Sequence, residues 1–172
     1  MPRILGIDPG SRVTGYGVIE AEGSRVAYVA SGCVRVKGDD LGERLRQIFV
    51  GIQEVIGEYR PAETAVEAVF LAHNPSSAIK LGQARGSAIC AAAHLELPVS
   101  EYTPRQVKQA VVGTGAASKD QVQHMVKVLL QLSGTLQEDA ADALAVALCH
   151  AHTGHTLKNI PNARRMAAGR LR

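Results

Sequence analysis

A chain of 172 residues, 46% of them hydrophobic, is long enough to bury a core as one domain, and it has no apolar stretch long enough to cross a bilayer. Its net charge of +3 is unevenly distributed, because five basic and no acidic residues follow Asp142, which leaves 14 basic against 16 acidic residues in 1–142. Residues 71–130 hold six basic and three acidic residues. A basic middle and a basic tail suit a polyanionic partner, although a solvated surface explains the same charges.

The start of the chain and its cysteines indicate where the protein works. The first residues, MPRILGID, place a charge and then an aspartate where a signal peptide has an uninterrupted apolar region. The three cysteines, Cys33, Cys90 and Cys149, form no CxxC pattern. They are expected to be reduced, mostly buried thiols of a cytoplasmic protein, and no zinc site is expected on them.

The first half of the chain predicts a meander of strands followed by a helix. Residues 3–8 form an apolar run, and segments 15–23 and 25–36 have strand patterns joined by a turn signal at Gly23-Ser24. Segment 40–60 has apolar residues at three- and four-residue spacing, which predicts an amphipathic helix packed on the sheet. These apolar positions are Leu41, Leu45, Ile48, Ile52, Val55 and Ile56.

The second half predicts two further strands and four helices. Segment 64–70 is a fourth strand, which the preceding helix places parallel to the first, and segment 97–102 is a fifth. The helices are expected to begin after caps or at an acidic first turn, and the last is expected to end at about His152. The predicted starts are the caps Asn74, Thr103 and Ser118 and the residue Glu138.

The order of these elements predicts the fold. Three antiparallel strands followed by parallel strands with intervening helices are the layout of a ribonuclease H-like fold. We therefore predict an α/β protein with a mixed five-stranded sheet and helices on both faces. We expect one such domain at 1–155 and a basic tail at 156–172, which lacks periodicity and is predicted to be disordered.

Four carboxylates are placed by this topology at one point. Asp8 ends the first strand, Glu67 lies inside the fourth, and Asp139 and Asp142 are three residues apart at the start of the last helix. The two strands should be adjacent, and carboxylates so close repel each other unless a cation or proton joins them. Helix capping is an alternative role for Glu138 and Asp139 but explains Asp142 less well.

The chemistry of this cluster favours phosphodiester hydrolysis. Oxygen ligands without histidine or cysteine suit Mg²⁺ or Mn²⁺. Two such ions about 4 Å apart are the standard device for this reaction, in which one activates water and the other stabilises the leaving oxygen.

Four motifs in order carry a resemblance to a known family. They are GIDPGSRVTGYGVI, VEAVFLAHNPSSAIKLGQARG, EYTPRQVKQAVVGTGAASKDQVQHMV and DAADALAVALCHAH, and the match that they carry runs from about residue 3 to residue 152. The chain resembles the RuvC family of bacterial Holliday-junction resolvases, the crossover junction endodeoxyribonucleases. The resemblance places the family's catalytic and metal-binding acids on Asp8, Glu67, Asp139 and Asp142.

The resemblance also implies an activity and partners. A homodimer would nick a four-way DNA junction symmetrically during homologous recombination and DNA repair, with two Mg²⁺ ions per active site and with Mn²⁺ able to substitute. The products would carry 5′-phosphate and 3′-hydroxyl ends. Cleavage would favour a short T-rich sequence, and the enzyme would work with the RuvA–RuvB branch-migration motor.

Several residues are candidates for contacting DNA. Phe70 follows Glu67 by three positions, and an aromatic side chain there can stack on an unpaired base or open a junction, a role that the resemblance favours over core packing. Lys108 and Lys119 are expected to rim the acids and contact phosphate. Arg12 is as well explained by solvation as by a phosphate contact.

The helix after Asn74 has two possible roles. Lys80 and Arg85 lie on it, and either DNA contact or a subunit interface explains them. Gly82 and Gly86 leave this helix little side-chain bulk, which is compatible with packing at the two-fold axis of a dimer or inside its own subunit.

Three other functions stay open at this point. Actin-like sugar kinases and ATPases also begin with a strand, an aspartate and a glycine–serine turn, but they need two large lobes, for which 172 residues are too few. A junction-binding protein without catalysis conflicts with four retained acids, since acids repel DNA unless metal is bound. A nuclease of the same fold acting on RNA or an RNA–DNA hybrid fits the same charges.

Overall fold

A five-stranded mixed sheet forms the centre of the protein. The computed structural model describes residues 1–68 and 74–159, of which 155–159 are described by their backbone alone. The strands are β1 (Arg3–Asp8), β2 (Val13–Glu22), β3 (Arg25–Arg35), β4 (Glu63–Glu67) and β5 (Val99–Tyr102). They lie in the order β3-β2-β1-β4-β5, with the first three antiparallel and β4 and β5 parallel to β1. The predicted sheet is confirmed.

The register of the sheet brings two acidic residues together. Ile7 of β1 pairs with Val66 of β4, so the next residues along these parallel strands are Asp8 and Glu67. β4 ends at Glu67, whereas segment 64–70 was predicted to continue the strand. Glu67 therefore lies at the end of its strand, and the predicted position inside the strand is wrong.

Five helices cover the two faces of the sheet, as predicted. They are α1 (Leu41–Tyr59), α2 (Pro75–His94), α3 (Pro104–Val112), α4 (Lys119–Leu129) and α5 (Glu138–Asn159). The predicted caps are confirmed, because the side chains of Asn74, Thr103 and Ser118 each accept a hydrogen bond from a backbone N–H of the first turn. None of the helices in the described ranges is long and apolar enough to span a membrane.

Two apolar layers separate the helices from the sheet. One layer packs α1 and α2 against Leu5, Ile7 and Val18, and the other packs α3, α4 and α5 against Ile4 and Ile19. Alternate residues of β1 thus enter opposite layers, as the two-residue period of a strand requires. In α1 the predicted apolar face is buried from Ile48 onward. Leu41 is 45% exposed, because it begins the helix beyond the edge of this layer.

Helix α5 lies unusually close to β1 and β2. A Cβ atom on Gly6 would lie 2.0 Å from the carbonyl oxygen of Ala143, and one on Gly15 would lie 2.0 Å from that of Asp139. On Gly17 it would lie 2.6 Å from the side chain of Leu144. Three glycines on one face of the two strands therefore let the helix backbone rest directly on the sheet.

Two expectations about the rest of the chain need correction. Helix α5 continues to Asn159, whereas its predicted end was about His152, so 156–159 of the predicted tail are helical. The remaining tail lies outside the described residues. Of the cysteines, Cys149 is buried, Cys33 is half-buried and Cys90 is exposed, because Cys90 lies on the outward side of α2. The prediction of mostly buried thiols is therefore wrong.

The seating of α5 predicts that Gly6→Ala strongly destabilises the protein. The added methyl group would overlap the backbone of α5, and such overpacking costs about 1–3 kcal/mol or more. Gly57→Ala in α1 is the matched control, since a Cβ there meets nothing within 4 Å and alanine favours a helix. Urea unfolding measures both variants, and equal free energies of unfolding for Gly6→Ala and wild type would contradict the close approach of α5.

Candidate active site

Asp8, Glu67, Asp139 and Asp142 meet at one end of the sheet. Asp8 and Glu67 end the adjacent parallel strands β1 and β4. Asp139 and Asp142 enter from the first turns of α5, which the glycines of β1 and β2 hold against the sheet. The structure therefore brings together the four acids that the sequence predicted would cluster.

Asp8 lies at the centre of the cluster. Burial is the largest cause that raises the pKa of Asp8, to about 8, and the negative charges of Glu67, Asp142 and Asp139 raise it further. The positive charge of Lys119 acts in the opposite direction but does not compensate for them. Near neutral pH, a bound cation would therefore stabilise the ionised form of Asp8.

Burial also raises the pKa values of Glu67 and Asp142. Burial and the charge of Asp142 raise the pKa of Glu67, while Lys119 and Lys108 lower it. Burial also raises the pKa of Asp142 despite a hydrogen bond and an opposite charge from Lys119. Three carboxyl groups are thus held where ionisation costs free energy, which is typical of functional sites rather than of surface ion pairs.

Lys119 is the nearest cation to these acids. Its Nζ atom lies 3.0 Å from Asp142 Oδ2 and also pairs with the carboxylate of Glu138. Burial is the largest single effect and lowers the pKa of Lys119, but the hydrogen bonds and the negative charges of Glu138 and Asp142 together raise it above its usual range. Lys119 therefore stays charged and neutralises part of the cluster.

A cleft of about 190 Å³ opens beside the cluster. It is lined by Glu67, Pro104, Val107, Lys108, Lys119, Val122, Asp142 and Ala145. Two carboxylates and two ammonium groups therefore face one open space, with apolar side chains of α3, α4 and α5 forming its walls. The two lysines of such a cleft can bind the oxygen atoms of a phosphate group, which would then lie beside the carboxylates.

The donor set fits a hard divalent cation. All four acids offer oxygen ligands, which suit Mg²⁺ or Mn²⁺. Within residues 1–68 and 74–159, no three acidic, histidine or cysteine side chains converge closely enough to enclose an ion in this arrangement. The carboxylates would have to turn toward one another for binding, and Lys119 would have to release Asp142.

The predicted DNA-contacting residues occupy different surroundings. Lys108 and Lys119 line the cleft, as the sequence predicted for residues that rim the acids. Arg12 donates hydrogen bonds to the carbonyl oxygen of Gly38 and, at 3.1 Å, to the carboxylate of Asp39. This pairing links the loop after Asp8 to the segment before α1.

Of the other three candidates, Lys80 and Arg85 do not line the cleft. Lys80 lies on α2 beside Ser11 and Arg44, away from the cleft lining. Arg85 contacts the backbone of Glu67 and the carboxylate of Glu101. Phe70 lies outside the described residues. For all six, contact with DNA stays a prediction.

The sequence analysis missed three features of the site. It considered helix capping as an alternative role for Glu138 and did not predict that its carboxylate pairs with Lys119. It attributed no role to Cys33, whose thiol pKa is raised by burial and by the charge of Asp139. It did not predict that Gly15 and Gly17 seat α5 against the sheet. Glycines at alternate positions of a strand were the available signal for a close helix.

Two histidines of α5, His150 and His152, have structural partners. His150 Nδ1 lies 2.8 Å from the hydroxyl of Tyr102, and its Nε2 lies 2.5 Å from the carboxylate of Glu63. His152 Nδ1 lies 3.0 Å from the carbonyl oxygen of Ala110. These contacts join α5 to β4, β5 and α3, at a distance from the acids along the helix.

Sequence comparison relates the chain to one family. The family model for the crossover junction endodeoxyribonuclease RuvC matches residues 4–150. A protein of this name from Tolumonas auensis is 60% identical over 173 residues, covering 100% of both chains. Another from Photobacterium profundum is 61% identical over 157 residues, covering 91% of each chain.

Structural comparison leads to the same family. Thermus thermophilus RuvC in complex with a Holliday junction substrate is similar with a TM-score of 0.85 and 34% identity, over 91% of this chain and 96% of that one. The yeast mitochondrial Holliday junction resolvase Ydc2 shares the fold, with a TM-score of 0.68 at 11% identity over 95% of this chain and 86% of that one. The ribonuclease H-like architecture is thereby confirmed, and the chain belongs to the RuvC family of crossover junction endodeoxyribonucleases.

Proposed function

We propose that the protein is a structure-specific endodeoxyribonuclease that resolves four-way DNA junctions. The observation that carries this proposal is the cluster of Asp8, Glu67, Asp139 and Asp142 at one sheet end, beside a cleft lined by two lysines. Membership of the RuvC family supports the same function, as does the junction complex of the Thermus thermophilus relative.

The residues of the cleft have distinct roles in this reaction. The four carboxylates would hold two Mg²⁺ ions, with Mn²⁺ able to substitute. When bound, these ions supply activation of water and stabilisation of the leaving oxygen. Lys108 and Lys119 would bind the phosphate that is to be cut and orient it against the acids. Hydrolysis would leave 5′-phosphate and 3′-hydroxyl ends.

A homodimer would cut the junction symmetrically. Helix α2 buries Ala84, Ala88, Ala91 and Ala92 in its own subunit. On its outward side, Ile79 is 62% exposed, and Cβ atoms on Gly82 and Gly86 would meet nothing within 4 Å. The apolar, small-residue side of α2 is thus available to a second copy, and two equivalent cuts in a symmetric substrate call for two-fold symmetry.

The proposed setting is recombination and DNA repair in the cytoplasm, together with the RuvA–RuvB branch-migration motor. Resemblance to the family supports these partners. The cytoplasmic location is supported by three cysteines without disulfides in the structure. A preference for a short T-rich sequence belongs to the same proposal.

Asp8→Asn is expected to abolish cleavage while sparing junction binding. The amide removes one charged ligand from the cluster, and metal-ion stabilisation of the transition state is worth several kcal/mol, which corresponds to roughly 10³-fold in rate. The measurement is single-turnover cleavage of a synthetic four-way junction in Mg²⁺, alongside a binding assay in chelator.

Substrate controls make this experiment selective. Wild type is incubated with the four-way junction, linear duplex and an RNA–DNA hybrid, with Mg²⁺ and with chelator. Cutting of the junction alone, in Mg²⁺ alone, supports the proposal. Undiminished cutting by Asp8→Asn, or cutting in chelator, contradicts the metal-dependent mechanism. Preferential cutting of the RNA–DNA hybrid contradicts the proposal that the four-way junction is the substrate.

The raised pKa of Asp8 predicts how stability depends on pH without metal. Between about pH 4 and pH 8, the folded state holds a proton on Asp8 that the unfolded chain has released, so the free energy of unfolding falls as pH rises through this window. In chelator at pH 8, Asp8→Asn should therefore melt above wild type, by about 2–4 °C for each kcal/mol gained in the free energy of unfolding. Mg²⁺ should stabilise wild type more than the variant.

Glu54→Gln is the matched control for this melting experiment. Glu54 is an exposed carboxylate on α1, so its neutralisation removes one charge without touching the cluster. Its melting temperature should follow wild type at every pH. Equal pH profiles for Asp8→Asn and wild type in chelator would show that Asp8 ionises in the folded state as readily as in the unfolded chain.

A further inference from the structure

Arg85 joins three elements at the carboxyl end of β4. Its Nε–H donates a hydrogen bond to the carbonyl oxygen of Glu67 at 3.1 Å, and its guanidinium pairs with the carboxylate of Glu101 on β5. Its backbone belongs to α2. The side chain is only 19% exposed, so Arg85 is held inside the subunit instead of extending into solvent.

Arg85 contacts Glu67 at the point where the hydrogen-bonded pairing of β4 with its neighbouring strands ends. Glu67 is the last residue of β4, and beyond it the N–H of Ala68 donates to the carbonyl oxygen of Tyr102 at 2.8 Å. On the other neighbouring strand, Asp8 is followed by Pro9, which has no N–H to donate. The Arg85 guanidinium is therefore a side-chain donor at a position where regular strand pairing ends.

Holding this carbonyl also holds the side chain of the same residue. The hydrogen bond anchors the main chain of Glu67 and thereby restrains its Cα atom, from which the carboxylate side chain extends. Glu67 is half-buried beside Asp142, and a small shift of this main chain would move its carboxylate relative to the other acids. Groups that orient metal ligands in this way change metal affinity or activity by about 10–100-fold when they are removed.

The arrangement differs from both roles that the sequence left open for Arg85. A subunit contact would use the outward side of α2, where Ile79 and Gly82 are exposed, whereas Arg85 turns inward to β4. A phosphate contact would have to displace Glu101, which already pairs with the guanidinium. Neither role explains the hydrogen bond to the backbone of Glu67.

We propose that Arg85 is a positioning residue that orients Glu67 for metal binding, with Glu101 holding the guanidinium in place. The proposal rests on the proposed function, because it takes Glu67 to be a metal ligand. It also links α2 to the cluster, since the helix that would meet a second subunit carries the group that restrains Glu67.

The test is a titration of the full-length protein with Mn²⁺, in which free Mn²⁺ is measured by electron paramagnetic resonance without DNA. Arg85→Ala should raise the dissociation constant of Mn²⁺ about 10–100-fold. Arg85→Lys keeps a charge for Glu101 and one donor, and it should give an intermediate value. Single-turnover cleavage of the junction should need correspondingly more Mg²⁺ and should recover at saturating Mg²⁺.

Arg46→Ala is the matched control. Arg46 makes an ion pair with Glu43 on the surface of α1 and does not line the cleft beside the acids, so its loss should leave Mn²⁺ affinity unchanged. If Arg85→Ala fails to fold, Arg85→Lys decides the question through the same titration. Melting curves and molecular mass by light scattering accompany each variant.

The outcomes separate the possible roles of Arg85. Wild-type Mn²⁺ affinity in Arg85→Lys and in a folded Arg85→Ala would overturn the proposal. Weaker junction binding in chelator with unchanged Mn²⁺ affinity would place Arg85 on DNA and would also overturn it. Wild type that binds Mn²⁺ but cuts no junction would contradict the proposed function, while the effect of Arg85 on Mn²⁺ would still stand.

Discussion

The close contact of α5 with β1 and β2 determines the site. Gly6 and Gly15 remove the side chains that would hold the helix away, and the carbonyl oxygens of Ala143 and Asp139 occupy the space instead. The helix then starts directly above the ends of β1 and β4, where it delivers Asp139 and Asp142 to Asp8 and Glu67. If larger strand side chains held the helix further out, the acids of α5 would be separated from those of β1 and β4, and each pair would be more exposed to solvent.

The same contact brings four acidic side chains together, and Lys119 compensates for only part of their mutual repulsion. Burial and mutual repulsion raise the pKa of Asp8 to about 8, and Lys119 supplies one positive charge to the cluster. The buried, mutually repelling acids thus lower the stability of the folded protein at the place where a divalent cation and a phosphate would bind. Such a local loss of stability is common at functional sites. Lys119 contacts the acids and lines the cleft, so it would connect the charge of the cluster with the proposed binding of an anionic substrate.

Sequence reasoning predicted the sheet, the helix caps and the four acids, because each has a local signature. Apolar periodicity marks the strands and helices, and a carboxylate in an apolar strand such as β1 is conspicuous. The proximity of Asp8 and Glu67 followed from topology, since a helical crossover makes β4 parallel to β1. The resemblance to the RuvC family implied a common chemical role for these four positions.

What the sequence did not predict depends on contacts between distant segments. The inward direction of Arg85 is set by how α2 packs, 18 residues after Glu67, and the partner of Glu138 is on another helix. The helical continuation to Asn159 lacks the apolar periodicity that marks the other helices, so its end was placed too early. Exposure of Cys90 likewise follows from which side of α2 faces the sheet.

The most direct measurement of the four-acid cluster is anomalous diffraction from crystals of the full-length protein soaked in Mn²⁺. Anomalous density among Asp8, Glu67, Asp139 and Asp142, lost in crystals of Glu67→Gln, is the expected result. Mn²⁺ density only at other surface carboxylates, in crystals whose clefts are open to solvent, would contradict the assignment of these acids as one metal site.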